Sequence, residues 1–449
     1  MYQRLLINKL SRNKPFCILG ARAVGKTTLI RDFADKFSNY IRVDLETAAD
    51  REIFTQEGSH EEILRAISFL KGKEIRGNGT LIVLDELGQC PEAIRWAGGQ
   101  LSGRTTGGRE DRPFIAGVSS IMTKELRVLT DPESGSMGVQ YLHPFSFEEF
   151  LLVMDDTAAL EAFREVPVPY YAYEKLLNYF HLYSLIGGMP EITSEYAANH
   201  NLSGLKKIYG HIEERFIQSL PHVTPGIRSR NLALEVLQNT YPYAATRISF
   251  NRFGNLEKGS REISQVFKAL EQTFFIRLIY PVTSTTLPTL PDISKFPRLQ
   301  LLDTGLVNYF SGIQKPLFQS HDMNAIFEGQ IARQVVGQEI LATMHETEGP
   351  DFWVRNKAQS SAMVDFVIPF DGMLIPVLVR SGEAGRLRSL HQFIDESPHP
   401  FAVRLYAGKP GIQQSLTLRN KKYYLLSLPY FLAGKIREHL GGFRKYVEG

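Results

Sequence analysis

The chain has 449 residues, a formal net charge of +3 and 22% charged residues, a composition that suits a globular protein of two to four domains with ample core. So small a positive excess does not by itself imply a polyanionic partner. Two cysteines, Cys17 and Cys90, argue against a disulfide framework and for a reducing compartment. No apolar run approaches the ~20 residues that cross a bilayer, and MYQRLLINKL lacks a signal-peptide pattern. The expectation is a cytoplasmic protein with no membrane role.

In chain order, Met1 to Lys14 reads as a short amphipathic lead-in. Phe16-Cys-Ile-Leu19 is an apolar run of strand length, and Thr28 to Phe37 has the apolar spacing of a helix, with Leu29, Ile30, Phe33 and Phe37 on one face. Between them, Gly20-Ala21-Arg22-Ala23-Val24-Gly25-Lys26-Thr27 fits the phosphate-loop pattern G-x-x-x-x-G-K-[ST] in full. Such a loop curls its N–H groups, here from Gly20, Ala21, Ala23, Val24 and Gly25 through Lys26, Thr27 and Thr28, around a β-phosphate at a helix N-terminus. Lys26 would reach the β- and γ-phosphates as a catalytic cation, and Thr27 would hold Mg.

Tyr40 to Glu46 follows as a second strand, and Ser59 to Lys71 as a helix. After the turn Gly77-Asn78-Gly79, Leu81-Ile-Val-Leu84 is a buried strand that ends in Asp85-Glu86. Strands alternate with helices, so the fold class is α/β, a parallel sheet with helices on both faces. A parallel strand delivers its last residues to the carboxyl edge, where nucleotides bind. There Asp85 would serve the metal and Glu86 would orient or deprotonate the attacking water. Pro113 to Ser120 is a further strand ending in hydroxyls, from which Ser119 or Ser120 could sense the γ-phosphate or cap the next helix. The glycine-rich Ser102 to Asp111 reads as a polar loop.

Together these segments resemble the prokaryotic AAA-type ATP-binding proteins. The resemblance rests on the phosphate loop, on Asp85-Glu86 with Pro91, and on Gly117-Val-Ser119-Ser120. It extends through Pro144-Phe-Ser-Phe-Glu-Glu-Phe150, Gly187-Gly188-Met189-Pro190-Glu191 and Leu302-Asp303-Thr304-Gly305-Leu306. It implies ATP as the nucleotide and Mg as the metal. An arginine common in such proteins before the Pro-Phe-Ser-Phe segment is matched by Ser136, which implies slow hydrolysis. The resemblance also divides the chain into an ATP-binding domain (1–150), a helical lid-like region (151–225), a winged-helix-like region (226–300) and a nuclease-like α/β domain (301–449).

Within 151–225 the aromatic run Tyr170-Tyr171-Ala-Tyr173 is expected in core or lid packing. Around the second helix of the next region, Ile263, Val266, Phe267 and Leu270 form an apolar face, while Arg261, Gln265 and Lys268 line a polar one. Phe274 to Tyr280 would be the wing strand. Those three polar residues could meet DNA in the manner of a recognition helix, or be a solvated face. At the C-terminal end, Glu328 and Asp365 match the first two acids of restriction-type nucleases. Leu378, Arg380 and Met363 stand where a carboxylate, a lysine and a glutamate are usual, so a first-shell anion is missing and a catalytically degenerate fold is expected. Arg380 could contact phosphate or simply form an ion pair. From Phe401 onward nine basic residues face two acidic ones, a guide for nucleic acid or a solvated surface. A protein partner and the oligomeric state stay open.

Overall fold

In a computed structural model, the described residues are 4–55, 58–101, 112–133, 135–315, 329–343, 349–357, 360–380 and 387–448. They form two compact units whose segments interleave along the chain. One holds residues 1–143, 212–230 and 268–275, and the other holds 144–211, 231–267 and 276–449.

The first unit is built on five strands: β1 (Phe16–Leu19), β2 (Asn39–Asp44), β3 (Thr80–Asp85), β4 (Phe114–Ser119) and β5 (Gly138–Tyr141). Their order is β2-β3-β4-β1-β5, with every pairing parallel. Parallel strands covered on both faces are apolar throughout rather than alternating. That is the pattern of β1 and β3, buried at every position. The core beneath them joins Cys17, Leu19, Ile41, Val43, Ile82, Leu84 and Ile115 to Ile63, Ile67 and Trp96 of the flanking helices. This is the doubly covered parallel sheet of the phosphate-loop ATPase fold. The helix Ser59 was expected to open runs His60–Lys71, with Ser59 and Glu62 as a reciprocal capping box.

The second unit carries a small antiparallel pair, β6 (Ile276–Ile279) with β7 (Arg298–Leu301). Two short strands, β8 (Trp353–Val354) and β9 (Met363–Val364), also pair antiparallel. A mixed sheet completes it: β10 (Phe366–Phe370), β11 (Met373–Val379), β12 (Phe401–Tyr406), β13 (Gly411–Leu416) and β14 (Lys422–Pro429), ordered β10-β11-β12-β14-β13. The helix Ser260–Glu271, whose residues divide between the two units, buries Ile263, Val266, Phe267 and Leu270 and exposes Arg261, Gln265 and Lys268, the two faces its sequence pattern required. The strand expected over Phe274 to Tyr280 is the shorter β6, and its partner β7 lies beyond a long connection.

Three sequence motifs meet in this unit as one buried polar knot. Ser146 caps the helix Phe147–Val153 in a capping box with Glu149, which accounts for the Ser-Phe-Glu-Glu spacing. Gly187 has φ +82°, and a Cβ there would fall 2.1 Å from Asp303 Oδ1, so no side chain fits. Asp303 accepts from Gly188 N at 2.7 Å and from Leu306 N at 3.1 Å. Glu339 accepts from Phe147 N at 3.0 Å and from the Tyr183 hydroxyl at 2.6 Å. Burial pushes the Asp303 carboxyl up to about 6 and that of Glu339 to about 7.

Tyr170 and Tyr171 correct one expectation. They are 68% and 80% exposed, because they sit on a one-turn 3-10 helix, Tyr170–Ala172, whose buried position goes to Ala172. Tyr170 instead lies under the Lys409 ammonium, 4.7 Å from the ring centre.

Candidate nucleotide site

The phosphate loop leaves β1 at Gly20 and enters the helix Lys26–Ala34. Ala23 and Gly25 both have left-handed φ, 64° and 93°, the kind of alternation that turns successive N–H groups to one side as an anion nest. Gly20 is required for a different reason. A Cβ there would lie 2.2 Å from the carbonyl oxygen of Leu142, which follows β5. Ala21 and Val24 are buried and Thr27 is exposed at the helix start, with Thr28 half-buried behind it. Lys26, 6% exposed, folds back so that Nζ donates to Gly20 O and Ala21 O, each at 2.8 Å. Burial pulls its pKa down, while the charges of Glu86 and Asp85 pull it up. The net direction is downward, with the two acids at the end of β3 opposing the effect of burial.

Those acids arrive because β3 and β1 run parallel, with β4 between them. Leu19 pairs with Ser119, Asp85 with Val118, and Asp44 with Asp85, so all the strand tips share one edge. Asp85 is 5% exposed and Glu86 9%. Burial raises the Asp85 pKa, and Arg42 opposes that rise. Glu86 takes φ 54°, ψ 45°, a left-handed conformation that costs a non-glycine residue about 1 kcal/mol. That turn swings its carboxylate to Ser120, whose N–H and hydroxyl both donate to Oε2, at 2.9 and 2.7 Å.

Ser119 stands apart from the other candidates. It is fully buried, its hydroxyl donates to Ile121 O at 2.7 Å, and it accepts from Gly88 N and Ile121 N at 3.2 Å each. It therefore ties the turn after β4 to the turn after β3. Of the two serines, Ser120 is the one that faces an acid.

Several residues at this edge were not singled out from the sequence. Arg42, on β2, reaches Asp85 Oδ2 through Nε at 2.7 Å and through a terminal nitrogen at 2.6 Å, and Asp44 at 3.0 Å. Arg42 and Asp44, two apart on a strand, share a face, but only the β2–β3 register brings that face to Asp85. Arg22, inside the loop, pairs with Glu46, which also accepts from Gln89 at 3.3 Å. His222, on the helix Lys206–Val223, feels the charges of Arg22, Glu46 and Glu86.

An exposed hydroxyl on Thr27 and the carboxylate of Asp85, completed by phosphate and water oxygens, are the donors a magnesium ion takes. Among the described residues no group of three or more His, Cys, Asp or Glu side chains forms a self-sufficient metal cage. The residues therefore fit a metal brought in with phosphates.

The C-terminal candidates lie in the second unit. Asp365 is 2% exposed and accepts from Val379 N and from the Arg380 guanidinium, both at 2.9 Å. Leu378 is fully buried in the core and Met363 half-buried. Arg380 is therefore an ion-pair partner of Asp365. Glu328 and Ser102 to Asp111 lie outside the described residues. No helix among the described residues is long and apolar enough to cross a membrane.

Comparison with known proteins places an AAA domain over residues 12–151 and a domain of unknown function, DUF8612, over residues 177–317. No curated protein matches the sequence. Solved structures similar to parts of the chain include Aeropyrum pernix ORC1 in complex with DNA. It has 13% identity and a TM-score of 0.29 over 70% of this chain and 90% of that one. A Thermotoga maritima RuvB variant has 12% identity and a TM-score of 0.29 over 64% and 88%. Aeropyrum pernix ORC2, in ADPNP–ADP complexes, has 12% identity and a TM-score of 0.25 over 71% and 93%. Scores this low say nothing about substrate or partner. Residues 12–151 match the model of an AAA domain, and the parallel sheet they build has the phosphate-loop ATPase fold.

Proposed function

We propose that the protein binds ATP with magnesium and hydrolyses it slowly. The observation that supports this best is the meeting of Lys26 with Asp85 and Glu86 at one sheet edge, each buried and each in the field of the others. In this reading the loop amides and Lys26 hold the β- and γ-phosphates, and Thr27 and Asp85 hold the metal. A metal held there would supply positive charge against the phosphates. Glu86, oriented by Ser120, accepts the proton of the attacking water, and the phosphoryl group passes to that water, giving ADP and phosphate. Ser136, in place of an arginine, leaves the transition-state charge with one cation fewer, which supports a slow rate.

The later regions are what nucleotide state would reposition. The helix Ser260–Glu271 followed by the β6–β7 hairpin supports a winged-helix reading, in which Arg261, Gln265 and Lys268 meet DNA. The mixed sheet with Asp365 near the end of β9 supports a nuclease-like domain without its cutting chemistry. Leu378 cannot ligate a metal, and Arg380 already answers the acid.

A second reading makes ATP structural, in a scaffold that binds DNA or another protein. It draws on Ser136 and on the Ser120 grip that engages Glu86. Phosphate release by the full chain decides between the two. Hydrolysis requires turnover in wild type, loss of turnover with retained ATP binding in Glu86→Gln, and loss of binding in Lys26→Ala. ATP binding with no turnover, with and without DNA, establishes the scaffold. No ATP-dependent rise in the unfolding midpoint of wild type refutes both.

A further inference from the structure

We propose that Arg4, ahead of β1, is a positioning residue that sets the shape of the phosphate loop. The inference rests on the nucleotide reading of that loop. Arg4 is 4% exposed. One terminal nitrogen of its guanidinium donates to Val24 O at 2.7 Å, and the other donates to His143 O at 2.8 Å. A planar fork of fixed N–H directions suits this double contact, which an ammonium on a flexible stem does not reproduce.

The contact matters because of where Val24 sits. In a planar trans peptide the C=O and the following N–H point in opposite directions. Holding the Val24 carbonyl towards Arg4 therefore aims the Gly25 N–H the opposite way. Gly25 is at φ 93° and directly precedes Lys26, so this peptide sets the last curl before the helix. The second anchor is placed with equal effect. His143 follows Leu142, whose carbonyl is the wall against which Gly20 presses. Arg4 thus joins the late part of the loop to the chain segment that confines its beginning. Nest amides bind an anion well only when they are held converged before it arrives, because ordering them on binding costs affinity.

The test is binding of ATP and ADP, each with magnesium, to the full chain at a temperature well below unfolding, with adenosine as the phosphate-free probe. Arg4→Ala is expected to weaken ATP and ADP by the same factor, about tenfold or more, and to leave adenosine binding unchanged. Arg4→Lys, which keeps the charge but not the fork, should fall between. ATP and ADP affinities in Arg4→Ala equal to wild type would overturn the proposal, whatever happens to its unfolding midpoint. Equal loss of adenosine would overturn it as well, since the effect would then not pass through the phosphates. If Arg4→Ala does not fold, Arg4→Lys decides, and wild-type affinity there overturns the proposal. Absence of nucleotide binding in wild type would instead remove the nucleotide reading itself.

Discussion

Gly20→Ala is the sharpest test of how the loop is confined. The added Cβ would stand 2.2 Å from Leu142 O, 3.2 Å from Leu142 C and 3.3 Å from Val24 Cγ2. Contacts with that oxygen need roughly 1 Å more room than this. The oxygen cannot easily retreat, since Leu142 N is bonded to Leu19 O at 2.8 Å, at the end of the β1–β5 ladder. The loop must move instead. It then loses the bond from Gly20 N to Ser119 O, 3.2 Å long. Overpacking of this kind costs about 1–3 kcal/mol and a lost buried hydrogen bond about 1 kcal/mol more. Together they lower the unfolding midpoint by about 5–15 °C in a domain of this size. The assay is thermal unfolding with and without magnesium and ATP. The nucleotide-dependent rise should shrink along with the midpoint, because the displaced backbone is the one that carries the nest. A variant within 2 °C of wild type (about the scatter of such scans), with its nucleotide-dependent rise intact, would show that Gly20 is not pinned and refute the reasoning.

Two further outcomes are expected. Glu339→Gln should flatten the pH dependence of stability. Glu339 and Asp303 have folded pKa values raised to about 7 and about 6, from ordinary values of 4.5 and 3.8. The stability they contribute is present below the unfolded values and lost as pH rises through the folded ones. A neutral amide can still accept from Phe147 N and Tyr183, so the variant should gain on wild type at pH 8, by up to about 3 kcal/mol. Parallel midpoint-against-pH curves between pH 4.5 and 8 would count against it. Arg42→Ala should lower the midpoint of the nucleotide-free protein by about 1 kcal/mol equivalent, a modest figure because the arginine is partly exposed. Magnesium with ATP should close much of that gap by supplying another cation for Asp85. An equal deficit with and without ligand would show that Asp85 does not face the metal.

The parts legible in the sequence are those in which one residue type does the work by its own geometry. The loop glycines, the apolar run of β3 and the two acids at its end fall in this class. What was not legible depended on which neighbour a strand acquires. Arg42 becomes relevant only because β2 pairs with β3 in a register that sets Asp44 beside Asp85. Ser119 and Ser120 are adjacent and chemically equal in the sequence. Their roles separate because successive residues at a strand end point to opposite faces, one into the turn that follows β3 and one to Glu86. Arg4 lies in a stretch whose pattern suggests only a short amphipathic lead-in, and a buried guanidinium that serves two carbonyls leaves no periodic trace. The Gly187–Asp303 packing joins motifs that are over a hundred residues apart, so each could be noticed but not their meeting.

Two aspartates near strand ends invite comparison, since an arginine answers each. Asp365 receives a backbone N–H and Arg380, and the position that would supply its companion anion is Leu378, buried in the core. A divalent ion there would have one carboxylate and would have to displace a guanidinium already paired with it, a net loss in a dry site. Asp85 also receives a backbone N–H, from Glu86 at 3.1 Å, but its surroundings differ. Its neighbour is Glu86, its arginine is 42% exposed and has a second acceptor in Asp44, and the loop amides stand ready to bring phosphate oxygens. Arg42 has a second carboxylate, Asp44, to turn to, whereas the other acceptor of Arg380 is only the neutral carbonyl of Val379. On the proposed reading, the same pairing of aspartate with arginine would yield to a metal at the first site and resist one at the second. The difference lies in whether the guanidinium has a second carboxylate to go to.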